Sequence, residues 1–161
     1  LGWSPTRITV STVGVIPPME RLLRETKVHL AVSLHDPFDE ERRELMPVQG
    51  RYPVREVVEA LRRFDFAHQR RLSFEYIVFE GVNDSPRHVE GLARLLKGLN
   101  CRINLIRFHA IPDSPLRGVS PERMRWMNGA LNAAGITTTT RSSRGEDILA
   151  ACGLLSTVAQ R

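Results

Sequence analysis

Cysteine is nearly absent from the 161-residue sequence: Cys101 and Cys152 are too few for a disulfide-stabilised scaffold. No apolar run approaches the length of a membrane-spanning helix, and the first residues do not have the features of a signal peptide. Paired-cysteine and His-x-x-x-His motifs are missing too, so the spacing of cysteines and histidines predicts no metal site. We therefore expect a monomeric globular protein of the reducing cytoplasm, without membrane contact.

Lysine is also scarce, since Lys27 and Lys97 are the only two, and arginine carries the formal net charge of +5. Arginine binds phosphate through paired donors and stacks on bases, so its abundance is compatible with an RNA partner. The charge alone favours a solvated surface, because the basic residues are spread along the chain. In the last third, however, arginines outnumber acids, and this excess points weakly toward an anion.

Predicted strands alternate with predicted helices along the chain. Periodicity and turn residues predict strands over 7–12, 28–35, 72–79, 102–108 and 136–141. They predict helices over 17–25, 39–45, 53–66, 88–99 and 121–135. Such alternation implies right-handed crossovers between parallel strands, in either an open doubly wound sheet or part of a barrel. No glycine-rich dinucleotide motif follows any strand, which counts against the doubly wound sheet.

Polar residues cluster where the predicted strands end, as they do on the active face of a parallel β/α barrel. We therefore predict a partial barrel with its site among these residues: Ser11, Thr12, Ser33, His35, Glu75, Asn104 and His109.

The histidines and cysteines outside this group have ordinary structural explanations. Cys101 precedes a strand and is expected in the core, while His68 and His88 fall on or near predicted helices and are expected to be solvated. Cys152 follows a short predicted helix, so it could be a covalent catalyst or a buried apolar side chain. The C-terminal end of a helix raises a thiol pKa, and the residues alone favour packing for Cys152.

Six segments match one family in order and with similar spacing, and they extend over most of the chain. The chain closely resembles the C-terminal half of the bacterial radical-SAM methyltransferases that methylate C2 of an adenine in 23S rRNA and certain tRNAs. The matching segments are 8–17, 28–35, 74–78, 81–84, 101–106 and 137–153. Each is weakly specific alone, and together they are specific.

The resemblance implies a single radical-SAM core domain, of which residues 1–161 are the C-terminal portion, with a strand and helix extension at its end. S-adenosyl-L-methionine (SAM) would contact Ser11, the strand end Ser33, Leu34 and His35, and a position after the fourth strand. The family has asparagine at that last position, whereas this chain has His109. A histidine offers one donor or one acceptor at a given nitrogen, so this contact differs from the family's amide.

The resemblance also implies that Cys152 carries the methyl group. In the family, one SAM methylates this thiol, and a second SAM, cleaved at a [4Fe-4S] cluster, generates the radical that activates the S-methyl group. The resulting carbon radical adds to adenine, and a second cysteine releases the product by forming a disulfide. A carrier suits this chemistry because C2 of adenine is not nucleophilic. An electron donor such as flavodoxin would supply the reducing electron.

The family's cluster motif, Cys-x3-Cys-x2-Cys, and its N-terminal accessory domain precede the matching segments, so we expect this chain alone to be inactive. Two other functions remain compatible with the residues. One is the related methylation of C8 of the same adenine, which uses the same carrier. The other is a non-catalytic RNA-binding β/α module that has kept the scaffold only.

Overall fold

The structure is a computed structural model, and it describes residues 7–68, 70–110, 112 and 114–143. Within these residues, strands and helices alternate as predicted. The strands are β1 Thr9–Thr12, β2 His29–Ser33, β3 Leu72–Val78, β4 Arg102–Phe108 and β5 Thr137–Ser143. The helices are α1 Ile16–Glu25, α2 Asp39–Leu45, α3 Val54–Leu61, α4 Pro86–Leu95 and α5 Pro121–Ala133, with a 3-10 turn at Pro47–Gly50. The predicted helix after β5 lies outside the described residues.

All five strands are parallel and stand in the order β1-β2-β3-β4-β5. A doubly wound sheet reverses its order at a switch point, whereas a β/α barrel adds each strand beside the last. The sequential order therefore confirms the predicted partial barrel. Because every crossover moves in the same direction with the same hand, the connecting helices pack on one face of the sheet.

The large hydrophobic core lies between that face and the helices. Alternate strand side chains enter it, including the fully buried Leu30, Phe74 and Leu105, and they meet helix residues such as Val57 and Leu92. We call this side of the sheet the helix face and the other side the open face. A second, smaller apolar cluster lies at the carboxyl ends of β3 and β4, and it contains Leu45, Met46, Ile77, Phe79, Ile106 and Phe108.

Local sequence explains where several helices begin. Proline occupies the first turn of α1, α4 and α5, where its missing N–H is not needed. Ser85 and Ser120 cap α4 and α5, because their hydroxyl oxygens accept hydrogen bonds from the backbone N–H groups of His88 and Arg123.

The predicted ends of two helices were wrong. Helix α3 stops at Leu61 instead of residue 66, because the chain turns to bury Phe66, which is 6% exposed. Helix α4 begins at Pro86, two residues earlier than predicted, and stops at Leu95, before Gly98 with its positive φ of 78°. Among the described helices, none has the length and apolarity to cross a membrane.

Replacing Gly118 by alanine should lower the free energy of unfolding by at least about 1–3 kcal/mol, the usual cost of overpacking. An added Cβ would clash with the backbone oxygen of Phe108. Gly129→Ala is the matched control, because nothing lies within 4 Å of its added Cβ and alanine favours the helix by about 1 kcal/mol. Urea unfolding checks both variants, and equal stability of the two would contradict a steric clash at Gly118.

Candidate functional site

The open face of the sheet carries a row of polar side chains that crosses four strands. Residues paired in register on parallel strands point to the same side, and this row comprises Ser33, Glu75, Asn104 and Thr139. The hydroxyl of Thr139 donates to Asn104 Oδ1 at 2.7 Å. Arg141, two residues along β5, pairs with Glu75 at 2.9 Å. Two of the predicted polar residues, Glu75 and Asn104, are therefore each linked directly to β5, but from positions within β3 and β4 and not at the strand ends.

A buried arginine organises the end of β2. Arg42 is 0% exposed, and its guanidinium donates from Nε to the carbonyl of Leu34 and from a second nitrogen to the carbonyl of Ser33, each at 2.9 Å. The remaining nitrogen donates to Gln49 Oε1 at 2.7 Å. Burial lowers the pKa of Arg42 to about 10, against the raising effect of the Asp39 and Asp36 charges, so the group stays charged at neutral pH.

His35 follows β2 in a left-handed backbone conformation, with a φ of 61° that is uncommon for a residue with a side chain. Its Nδ1 accepts a hydrogen bond from the backbone N–H of Ile77 at 3.0 Å, and its carbonyl accepts one from Asn83 Nδ2 at 2.7 Å. Burial, assisted by the Arg42 charge, lowers the pKa of His35 to about 3. The ring is therefore neutral at pH 7, with its proton on Nε2.

Arg42 and His35 together replace one bond of the sheet. In a parallel ladder of this register, the N–H of Ile77 would donate to the carbonyl of Leu34. That carbonyl instead accepts from Arg42, and the imidazole of His35 serves as the acceptor for Ile77. The Asn83 amide completes the arrangement by donating to the carbonyls of His35 and Ile77, each at 2.7 Å. Hydrogen bonds from Arg42, Ile77 and Asn83 thus fix the left-handed turn at His35.

The other predicted SAM-contacting residues fall into different environments. Ser11 is exposed and shares the open face with Ser33, because it pairs with Ala31 two residues before that serine. Leu34 is 0% exposed and its side chain packs in the large core. Its N–H donates to the carbonyl of Glu75 at 2.9 Å, so both its backbone groups are engaged. His109 is exposed just beyond β4, and Cys152 lies outside the described residues.

Sequence reasoning missed the buried polar groups that support this strand end. Arg42 lies in the predicted helix 39–45, and Gln49 and Asn83 lie in segments for which the sequence predicts neither a helix nor a strand. One signal was available for Asn83, since the turn segment 81–84 is among those that match the family. Nothing in the local pattern distinguishes Arg42 from its neighbour Arg43, which is exposed.

Two histidine predictions have opposite outcomes. His68 is solvated, as expected, with its side chain 79% exposed beside Asp65. The prediction for His88 was wrong, because its side chain is 4% exposed and packs against the ring of Phe38. Because α4 begins at Pro86, His88 lies in the first turn of this helix, where its side chain is buried.

Cys101 is partly buried against the large core, as predicted. Burial raises the pKa of its thiol to about 11, and the nearby charge of Arg62 offsets this only in part. Since the thiolate is the reactive form, Cys101 is poorly suited to covalent catalysis.

The arrangement at His35 fits a bound polar cofactor. The Nε2 atom of His35 is buried and makes no hydrogen bond to any described residue. A buried donor left without an acceptor costs about 1–3 kcal/mol. A ligand with hydroxyl, carboxylate or ring-nitrogen acceptors, all of which SAM has, would satisfy it.

Comparison with known proteins places this chain. It is 56% identical over 155 residues to the probable dual-specificity RNA methyltransferase RlmN of Parabacteroides distasonis, which covers 96% of this chain and 45% of that protein. It is 47% identical over 156 residues to the dual-specificity RNA methyltransferase RlmN of Syntrophus aciditrophicus, which covers 97% of this chain and 45% of that protein. The chain is therefore similar to RlmN proteins over nearly its whole length. It spans about half the length of these RlmN relatives.

Solved structures agree with the RlmN assignment. The crystal structure of a radical SAM methyltransferase from Sphaerobacter thermophilus matches with a TM-score of 0.83 and 47% identity, over 94% of this chain and 45% of that one. A domain of pyruvate-formate lyase-activating enzyme from Bacteroides vulgatus, 19% identical with a TM-score of 0.65, shares the fold alone. No protein-family model matches the chain. The RlmN names favour neither the C8 methyltransferase nor the non-catalytic module.

Replacing Arg42 by lysine should lower the free energy of unfolding by about 3 kcal/mol. An ammonium group cannot reach both strand carbonyls and Gln49, and each lost bond to a charged donor costs about 1.5–3 kcal/mol. Arg43→Lys on the same helix is the matched control, with an expected change within about 0.5 kcal/mol because Arg43 is exposed. Urea unfolding measures both; similar losses in the two variants would show that Arg42 does not hold the end of β2.

Acid should destabilise the protein through His35. Its pKa is about 3 when folded and 6.5 as the ordinary value, so the unfolded chain binds the proton more readily between these values. The stabilisation that the neutral ring gives the folded state is fully present above pH 6.5 and decreases as pH falls. The loss reaches about 2 kcal/mol at pH 5.

The measurement is the change in unfolding free energy between pH 7.5 and pH 5. His35→Asn, which tolerates the left-handed backbone and does not titrate, should show a smaller change than the unmodified protein by about 2 kcal/mol. His68→Gln, at an exposed histidine, should keep the full change. An unaltered pH dependence in His35→Asn would contradict the buried neutral imidazole.

Proposed function

We propose that this chain is part of a radical-SAM RNA methyltransferase that methylates C2 of adenine in 23S rRNA and some tRNAs, with Cys152 as the methyl carrier. The observation that carries this proposal is the 56% identity to an RlmN protein across 96% of the chain. The polar open face and the buried network at His35 support it, because they provide a built site at the strand ends.

SAM would be held by Ser11, Ser33 and His35, with a further contact at His109. When bound, it supplies the methyl group and, together with a [4Fe-4S] cluster ligated outside this chain, the radical chemistry. His35 Nε2 would donate a hydrogen bond to an acceptor of the cofactor. Arg42 and Asn83 would keep that donor in place, since they bind the carbonyls of Ser33, Leu34 and His35. The side chain of Leu34 packs in the core, so Leu34 would contribute to this site through its backbone and not through a side-chain contact with SAM.

The Glu75–Arg141 pair would anchor the strand that leads to the carrier segment. Arg141 lies in β5, which precedes Cys152 in the sequence, and the pair joins β5 to β3 across the intervening β4. Glu75 is the more buried partner, at 15% side-chain exposure against 60% for Arg141. Fixing β5 at this pair would fix the point from which the carrier segment departs.

RNA would bind through phosphate contacts to arginine. A cleft of about 520 Å³ between α5 and β5 is lined by Arg107, Arg125 and Arg141 together with Thr140 and Ser142. Guanidinium groups and hydroxyls are common donors to phosphate oxygens. The target adenine would be extruded from its stack to expose C2.

The rest of the family's cycle would involve groups outside this chain. A second cysteine would form the disulfide that releases the product, and an electron donor such as flavodoxin would supply the reducing electron. Residues 1–161 would be the C-terminal portion of one core domain, working as a monomer in the cytoplasm.

The carrier role is tested in a polypeptide that contains this sequence and has the full length of the RlmN relatives. Cys152 and Cys101 are replaced in turn. Cys152→Ala should abolish formation of 2-methyladenosine in 23S rRNA and tRNA. Cys101→Ala is the matched control and should keep activity, because its high pKa of about 11 makes it a poor nucleophile. Mass spectrometry of nucleosides reports the product.

Three outcomes would argue against the proposal. Methylation by Cys152→Ala would remove the carrier role, and 8-methyladenosine as product would favour the related C8 enzyme. Specific RNA binding without any methylated product in the complete, cluster-loaded polypeptide would favour the non-catalytic module. The 161-residue chain alone should show no cluster absorption and no methylation.

A further inference from the structure

Three side chains with metal-binding atoms meet beside the end of β2, each from a different element. Asp36 lies in the loop after β2, Glu41 in α2 and His88 in α4, and one ligand atom of each lies within 4.8 Å of the other two. His88 Nε2 is 3.2 Å from Glu41 Oε1 and 3.5 Å from Asp36 Oδ2. The absence of a local metal motif in the sequence could not exclude this group, because the fold alone brings it together.

An unsatisfied oxygen points into the cluster. Asp36 is 0% exposed, and its Oδ1 accepts a hydrogen bond from the backbone N–H of Phe38 at 2.9 Å. Its Oδ2 is buried and accepts no hydrogen bond from the described residues. Asp36 Oδ2 lies 3.5 Å from His88 Nε2, which is within the range of an ion pair but long for a hydrogen bond. A buried carboxylate oxygen is costly unless something positive binds it, so this atom indicates a cationic ligand.

The distances suit a tetrahedral zinc ion. Zinc bonds to imidazole nitrogen and carboxylate oxygen are about 2.0–2.2 Å long, which separates the ligand atoms of a tetrahedron by about 3.3–3.5 Å. The two measured separations from His88 Nε2, 3.2 and 3.5 Å, lie close to this range. Ser85 Oγ lies 2.6 Å from His88 Nδ1. That contact orients the ring and lets Nε2 present its lone pair, as outer-shell partners of zinc-bound histidines do.

The local charge favours a divalent ion. Burial lowers the pKa of the His88 imidazole, but the two carboxylates that face it, Asp36 and Glu41, raise it more. Arg87 offsets one of these carboxylates by contacting both oxygens of Glu41 at 2.8 Å. The nitrogen ligand favours zinc over Mg²⁺ or Ca²⁺, which take oxygen ligands. The side chain of Glu41 is 32% exposed, so an ion and one water ligand can enter from its side. A proton on His88 is the competing occupant.

We propose that Asp36 Oδ2, Glu41 Oε1 and His88 Nε2 bind one Zn²⁺, with water as the fourth ligand. The ion would tie the loop after β2 to α2 and α4. This site adjoins His35 but does not depend on the proposed methyltransferase function, since its ligands lie outside the residues assigned to SAM and to the carrier.

Zinc binding is tested on metal-stripped 161-residue protein without an affinity tag. The Cys152→Ser variant serves as the background, because a reactive thiol would bind zinc by itself. Titration against a chromophoric chelator should show one Zn²⁺ per chain. His88→Gln and the isosteric Asp36→Asn should each weaken binding by at least about 10-fold, the smallest loss typical of even an outer-shell change.

His68→Gln is the matched control, because His68 forms a similar contact with Asp65, at 2.8 Å, on the exposed surface. It should leave zinc affinity unchanged. X-ray absorption of the zinc-loaded protein, which needs no variant, should show nitrogen and oxygen ligands with imidazole scattering. Failure to retain zinc, coordination by water alone, or equal affinity in His88→Gln would overturn the proposal and leave a proton-bridged ion pair.

Discussion

The buried guanidinium of Arg42 is the interaction on which the functional end of the sheet depends. It binds the carbonyl of Ser33 at the end of β2, the carbonyl of the next residue Leu34 and the side chain of Gln49, so one group joins this strand end, α2 and the segment before α3. Gln49 passes the constraint on, because its Oε1 also accepts from the N–H of Val54 at the start of α3. A charge this deeply buried is tolerated because every nitrogen of the guanidinium has an acceptor.

Strand order decides where the remaining chemistry can be. Sequential parallel strands place their helices on one face, and the large apolar core fills that side. The open face can therefore carry polar groups. The hydrogen bond between Thr139 and Asn104 and the ion pair between Arg141 and Glu75 lie on this face. Separation of the core from the polar row lets the same strands supply both stability and a site.

The sequence alone predicted the fold and the polar strand ends, because both depend on local patterns. Alternating apolar runs mark the strands, and the polar residues among them, such as Ser33 at the end of β2 and Glu75 within β3, are visible in the same windows. Helix ends were less predictable, since the burial of Phe66 depends on tertiary packing. Residues that act across long sequence separations escaped prediction: Asn83 binds the carbonyl of His35, 48 residues away, and His88 meets Glu41 across 47 residues. Helical periodicity describes only which face of its own helix a residue occupies, so neither contact has a local signature. The family resemblance carried the assignment of Cys152, which local physical chemistry alone would have assigned to packing.

The left-handed backbone at His35 has a consequence for how this position can change during evolution. Glycine would relieve the backbone but would leave the N–H of Ile77 without its acceptor. Most other side chains would retain the strain and also lose the ring nitrogen. Asparagine and aspartate combine tolerance of this conformation with an acceptor oxygen, though on a shorter side chain, and aspartate would add a buried charge. Very few substitutions at position 35 therefore preserve this structure. A histidine at this position should help to recognise distant relatives that keep the same strand end.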